Sequence, residues 1–102
     1  MIVFGAKSAE QVLAGKKTVT LRKWPKAKVM VGEAYDVARM GYPPRKFSKV
    51  KVTGLSRVKL GAIDEKLARR DGAGSAAEVR AYWSKQGFAA KDELWLVEFE
   101  LA

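Results

Sequence analysis

The 102-residue sequence contains no cysteine and no histidine. The absence of cysteine excludes disulfides, and the absence of both residues excludes a zinc site built from Cys and His ligands. A histidine base is excluded as well, so any catalysis has to use lysine, arginine, carboxylate, hydroxyl or tyrosine side chains. We predict no metal site and no cofactor.

Long apolar runs are also missing. No stretch approaches the roughly 20 residues that a membrane-spanning helix needs, and the first residues lack the charged and apolar regions of a signal peptide. No basic amphipathic helix stands out that would bind a membrane surface. We predict a cytoplasmic protein without membrane association, and the length predicts a single domain over residues 1–102.

Acidic residues are few, with 11 Asp and Glu against 20 Lys and Arg, so the net charge is +9 and the pI is about 10.0. The resulting field attracts anions, and nucleic acid is the first partner to consider. The alternative explanation is that the excess charge only keeps a small protein in solution. RNA is therefore a predicted partner, while the oligomeric state is left open.

Local patterns predict the element order β-α-β-β-β-α-α-β. A capping box at Ser8 predicts a first helix over Ala9–Ala14 that ends at Gly15, and a second capping box at Ser75 opens a helix that ends near Gln86. Strands and helices do not alternate strictly, which favours an α+β fold with a curled, mostly antiparallel sheet. The other predicted elements are strands Ile2–Phe4, Lys17–Arg22, Ala34–Met40, Phe47–Leu55 and Trp95–Leu101, and a helix over Ala62–Arg70.

The segment Gly15–Arg22 places polar side chains on one strand. In a regular strand Thr20 and Arg22 share a face, whereas Lys17 points to the opposite one. Lys17 can join Thr20 only if it lies in the turn after Gly15 or if a bulge changes its direction. The alternative is an ordinary solvent-exposed polar strand.

A basic loop surrounds Trp24 with four cations, Arg22, Lys23, Lys26 and Lys28. An aromatic face among cations suits single-stranded nucleic acid, because bases stack on the ring and phosphates contact the cations. Tyr42, with Arg45 and Lys46, can form a second wall. We predict Arg22, Trp24 and Tyr42 as substrate-binding residues, the alternative for Trp24 being a cap on the core.

The run Leu13–Arg22 resembles the signature of ASCH-domain proteins, a branch of the PUA-like fold. The resemblance extends from Glu10 to Leu101, and its most similar branch is that of small bacterial N(4)-acetylcytidine amidohydrolases. It implies a PUA-like, curled, mostly antiparallel β-barrel with short covering helices. Segments that agree in order and spacing are Val31–Val37, Val50–Thr53, Asp64–Glu65 and Leu96–Phe99.

The same resemblance implies three catalytic residues. A lysine proton acceptor falls on Lys17, a threonine nucleophile on Thr20, and an acidic proton donor on Asp71, where the branch has glutamate. Aspartate is shorter by one methylene, and Gly72 and Gly74 can let the backbone approach to compensate. The implied activity removes acetyl or other acyl groups from the exocyclic amine of cytidine or cytosine.

Two mechanisms fit these residue types. Lys17 can act as a base only when it is neutral, and burial together with a nearby Arg22 lowers the pKa of a lysine from about 10.4. In the second mechanism Lys17 stays charged and stabilises the oxyanion, while Asp71 activates water. The sequence leaves both open.

Two other functions also remain open. A non-catalytic RNA-binding module would use Lys23, Lys26 and Lys28 for phosphate contacts. A ribonuclease of the same fold, acting on single strands, is the third hypothesis, although without histidine its acid–base options are poor.

Overall fold

The computed structural model describes all 102 residues, and the predicted order of elements is confirmed. None of the helices has the length and apolar character needed to cross a membrane. The elements are β1 (Ile2–Phe4), α1 (Ala6–Leu13), β2 (Val19–Arg22), β3 (Ala34–Arg39), β4 (Arg45–Lys59), α2 (Glu65–Arg70), α3 (Ala76–Lys85) and β5 (Glu93–Leu101), with a 3₁₀ turn at Leu60–Ala62 before α2.

The five strands form one sheet in the order β1-β3-β4-β5-β2. Only β1 and β3 are parallel, and every other neighbouring pair is antiparallel. The register shifts between Val52 and Gly54 on β4, and such bulges increase the local bend of a strand. The sheet curls into a half-barrel whose free edges are β1 and β2, which confirms the predicted α+β, mostly antiparallel class.

Each face of the sheet carries its own apolar core. Neighbouring residues of a strand point to opposite faces, so Val97 and Leu96 of β5 belong to different clusters. On one face, Ala9 and Val12 of α1 pack on residues of β1, β3, β4 and β5. On the other face, α2, α3 and the 3₁₀ turn pack on Leu21 and on the start of β5. The helices therefore lie on both faces of the sheet.

The start of α1 differs from the prediction. The helix begins at Ala6, directly after β1, and its N-cap is Gly5, which has no capping side chain. The predicted capping box at Ser8 is wrong because one residue is enough to connect β1 to the helix, so Ser8 already lies inside it. Leu13, the last residue of the helix, is exposed, whereas its neighbour Val12 is buried. The predicted stop is confirmed, since Gly15 follows the helix with φ +75°.

The two later helices are set by their caps. Asp64 Oδ1 accepts a hydrogen bond from Leu67 N at 2.8 Å, so α2 begins at Glu65 and is shorter than predicted. The capping box at the start of α3 is confirmed, since Ser75 Oγ accepts from Glu78 N at 3.2 Å. The short connection from the end of α2 to Ser75 approaches the start of β2, where Thr18 N donates to Arg70 O at 2.8 Å.

Candidate active site

A cavity of about 740 Å³ opens beside the free edge of the half-barrel. Its wall is formed by β1, α1, β2, the α2–α3 connection and the first turns of α3. Arg22 Nη2 donates to Val3 O at 3.0 Å and so connects the two edge strands, β2 and β1. The volume falls in the range of roughly 300–1,000 Å³ that is usual for small-molecule sites. Lys17, Thr20, Arg22 and Asp71 all line it.

Lys17 enters this cavity from the turn that precedes β2. Its backbone N donates to Gln11 O at 3.1 Å, which continues the turn after Gly15. The side chain is only 6% exposed, and its Nζ donates to Asp71 Oδ1 at 2.6 Å and to Asp71 O at 2.7 Å. Of the two geometries that bring Lys17 to the Thr20 side, the chain uses the turn.

Arg70 fixes the position of Asp71. Its carbonyl accepts from Thr18 N at 2.8 Å, and its Nε donates to Thr18 Oγ1 at 3.1 Å. Its Nη1 also pairs with Glu98 Oε1 at 2.9 Å on β5. These contacts join the end of α2 to the start of β2. The C-cap residue of α2, Asp71, therefore lies next to Lys17.

Gly72 allows the Asp71 loop to approach α1. Its φ is +86°, a conformation that side chains rarely adopt. Its carbonyl accepts from Gln11 Nε2 at 2.8 Å, and a Cβ at this position would overlap the Gln11 amide. The backbone after Asp71 therefore lies close to α1, and the Asp71 carboxylate contacts Lys17.

Thr20 supplies a buried hydroxyl on the cavity wall. The residue is 4% exposed, and its Oγ1 accepts from Arg22 Nε at 3.3 Å. The Arg22 guanidinium carbon lies 5.1 Å from the centre of the Phe4 ring, within the distance of a cation–π contact. Arg22 is therefore held by Thr20, Val3 and Phe4, next to the space where a ligand would lie.

Burial shifts the ionisable groups of this site toward their neutral forms. It lowers the pKa of Lys17 and raises the pKa of Asp71, and in each case the opposite charge of the partner offsets only part of the effect. Burial also lowers the pKa of Arg22. The proton shared by Lys17 and Asp71 is thus less firmly fixed on the lysine than it would be in water.

The other predicted binding residues lie in different places. Trp24 lines the cavity and also packs against the core, and its carbonyl accepts from Trp95 Nε1 at 3.0 Å. Tyr42 does not line the cavity. It lies with Arg45 at the tip of the β3–β4 hairpin, in a separate depression, while Lys46 pairs with Asp36 at 3.0 Å.

Sequence reasoning missed two aromatic residues of the cavity wall, Tyr82 and Trp83. With Val79, both have the spacing of an apolar stripe on α3, a pattern that predicts core positions. Trp83 does pack on the core, but Tyr82 is 58% exposed and meets the Trp83 ring edge-on at 5.2 Å. The capping box at Ser75, so soon after Asp71, is the signal that places the start of α3 beside the site.

The Asp and Glu side chains do not form a cluster elsewhere in the structure. No group of three or more carboxylates lies close enough together to hold a metal ion.

The fold of this chain matches that of solved ASCH domains. No protein-family model matches the sequence, so the assignment rests on solved structures. The ASCH domain from Lactobacillus crispatus JV V101 superposes with a TM-score of 0.70 at 17% identity, over 92% of this chain and 69% of that one. The ASCH protein of Zymomonas mobilis gives 0.68 at 15% identity, over 97% and 66%.

A third similar structure is a protein of Enterococcus faecalis V583 that carries the family label DUF984. Its TM-score is 0.75 at 15% identity, over 100% of this chain and 76% of that one. The ASCH-type fold predicted from the sequence is therefore confirmed. At such low identity the comparison defines the fold alone, and the role of each residue has to be argued from this chain.

Proposed function

We propose that this chain is an amidohydrolase that removes an acyl group from the exocyclic amine of cytidine or cytosine, without a metal ion, in the cytoplasm. The observation that carries the proposal is the contact of Lys17 Nζ with Asp71 Oδ1 at 2.6 Å, in the cavity that also holds the Thr20 hydroxyl. Amide hydrolysis needs a nucleophile, a base, a stabilised oxyanion and a proton for the leaving nitrogen. Thr20, Lys17, Arg22 and Asp71 supply these four functions.

In the first step the Thr20 hydroxyl attacks the acyl carbon, and Lys17 takes the hydroxyl proton. Lys17 must be neutral for this, and its lowered pKa favours the neutral form. Arg22, whose Nε points to Thr20 Oγ1, is placed to stabilise the negative charge that develops on the acyl oxygen.

In the second step the bond between the acyl carbon and the exocyclic nitrogen breaks. Asp71 gives its proton to that nitrogen, and the raised pKa of Asp71 favours the protonated form that this step needs. Free cytidine leaves, and water hydrolyses the ester on Thr20, which releases the carboxylic acid and restores the hydroxyl.

The alternative mechanism uses the same pair in its charged form. Lys17 then stabilises the oxyanion and Asp71 activates water, so Thr20 is not a nucleophile. Both forms of the pair carry one proton, and the two mechanisms therefore share one pH profile. Removal of the Thr20 hydroxyl distinguishes them, because only the first mechanism requires it.

The function itself is tested by incubating the purified protein with N(4)-acetylcytidine and measuring cytidine by chromatography. We expect time-dependent release of cytidine and acetate in equal amounts. Absence of product from the native protein, with acetylcytosine tested in parallel, would reject the amidohydrolase.

Tyr82 is expected to form the wall on which the pyrimidine stacks. Its exposed ring lines the cavity next to Trp83, and removing one base–aromatic stack costs about fivefold to 100-fold in binding. We expect Tyr82→Ala to raise KM by such a factor with little change in kcat, whereas Tyr82→Phe keeps the native KM. Steady-state kinetics on acetylcytidine measure both, and a native KM in Tyr82→Ala would contradict this role.

A non-catalytic RNA-binding module is the second candidate. Lys23, Lys26 and Lys28 on the β2–β3 loop form no ion pair, so their charge is free to contact phosphate. Binding of RNA that weakens steeply with salt, without any turnover of acetylcytidine, would favour this function over the first.

A further inference from the structure

The tip of the β3–β4 hairpin forms a second candidate site, separate from the catalytic residues. It is a depression of about 320 Å³ at the end of the hairpin. Its residues are Arg39, Met40, Gly41, Tyr42, Pro43 and Arg45, and we refer to it as the hairpin-tip site.

Two arginines lie directly opposite each other in this site. Arg39 of β3 is the register partner of Arg45 of β4, so their side chains leave the same face of the sheet about 5 Å apart at Cβ. Like charges in this arrangement are destabilising. Neither guanidinium forms an ion pair or a side-chain hydrogen bond within the chain. A bound anion would reduce the repulsion and accept hydrogen bonds from both guanidinium groups.

No acidic residue of the chain fills this need locally. Asp36 is the sole carboxylate in residues 34–59, which include β3, the tip and β4. It is already engaged by Lys46 at 3.0 Å and approached by Lys49 at 3.7 Å. An anion that pairs with both Arg39 and Arg45 would therefore come from a ligand.

The same tip presents apolar surface. Tyr42 is fully exposed and Met40 is largely exposed, although large aromatic rings usually bury much of their surface. An exposed ring next to paired arginines matches a ligand that carries both an anionic group and a flat π-surface. A single-stranded nucleic acid repeats this combination, because phosphates alternate with unstacked bases.

The hairpin-tip site is next to the catalytic cavity, since Met40 lines both. We propose that the hairpin tip is a docking site for single-stranded nucleic acid, in which Arg39 and Arg45 hold a phosphate and Tyr42 stacks a base. A nucleic-acid strand bound at the hairpin tip can continue past Met40 toward Arg22. The proposal rests on the proposed function only for the idea that the cavity takes a base; docking at the tip is independent of hydrolysis.

The probe is a fluorescein-labelled, unacylated oligonucleotide of about ten nucleotides, prepared as RNA and as DNA of the same sequence. Its binding to the protein is measured by fluorescence anisotropy at several salt concentrations. Tyr42→Ala is expected to weaken binding about fivefold to 100-fold. The double variant Arg39→Gln with Arg45→Gln is expected to flatten the salt dependence by about 0.7 for each phosphate that the protein no longer neutralises. Because all three side chains are exposed, native circular dichroism is expected.

The matched control is Lys59→Gln with Lys91→Gln, which removes the same charge from exposed positions away from the tip. Weaker binding by the tip variants than by this control supports the proposal. A preference for RNA over DNA then identifies the ligand as RNA. Equal binding by tip and control variants, or no binding by the native protein, overturns it. Because the probe has no acyl group, failure to hydrolyse acetylcytidine leaves this result unaffected.

Discussion

Replacing Lys17 with methionine is expected to lower kcat for acetylcytidine hydrolysis by about 10²- to 10⁴-fold, the usual contribution of a positioned acid–base group. The side chain keeps its length but loses the amine that contacts Asp71 Oδ1 and Asp71 O. Both mechanisms need this amine, either as a base or as an ammonium, so the loss is expected under each. Steady-state kinetics measure it, and KM is expected to change much less than kcat.

Lys16→Met provides the control for this result. Lys16 is the neighbouring residue, it is exposed, and it does not line the cavity. Its substitution removes the same charge and is expected to keep native kcat. Activity in Lys17→Met that equals that of Lys16→Met would show that the buried lysine has no part in the chemistry.

The second large effect concerns stability. Asp71→Ala is expected to lower the free energy of unfolding by about 3 kcal/mol, because the Lys17 ammonium is left buried without its partner. Adding Lys17→Met to this variant removes the buried amine, which otherwise keeps an unpaired charge or gives up its proton at a free-energy cost, and is expected to restore most of the loss. A buried ion pair contributes little net stability compared with uncharged residues, although breaking it is costly. Urea denaturation of the three proteins measures the difference.

Asp36→Ala serves as the comparison, since Asp36 forms exposed ion pairs with Lys46 and Lys49. Pairs of this kind typically contribute between about 0 and 1 kcal/mol. If the double variant of Lys17 and Asp71 has the same free energy of unfolding as Asp71→Ala alone, Lys17 and Asp71 do not act as a buried ion pair.

The order of elements could be predicted because it depends on local patterns. Alternating apolar residues in β4 and β5, the Ser75 capping box and Gly15 each act over a few residues. The start of α1 could not be predicted from Ser8, because the position of Gly5 is fixed by pairing of β1 with β3. Strand neighbours such as β2 with β5 depend on contacts between distant residues, which no local pattern carries.

The catalytic residues could be proposed from a resemblance, but their meeting could not be derived from spacing. Lys17 and Asp71 are 54 positions apart, and they meet because Arg70 joins α2 to β2 and Gly72 lets the loop approach Gln11. Tyr82 was missed because its helical spacing matches that of a core residue. The sequence pattern of an apolar stripe does not show which of its residues line a cavity and which pack in the core.

The covalent mechanism requires the Thr20 hydroxyl as its nucleophile. Acetylcytidine turnover by Thr20→Val and by the control Thr53→Val tests this requirement. Thr53 of β4 is exposed and does not line the cavity, so Thr53→Val is expected to stay active. We expect a loss of at least about 10²-fold in kcat that is confined to Thr20→Val. Native turnover in Thr20→Val would contradict it and leave Asp71-activated water as the mechanism.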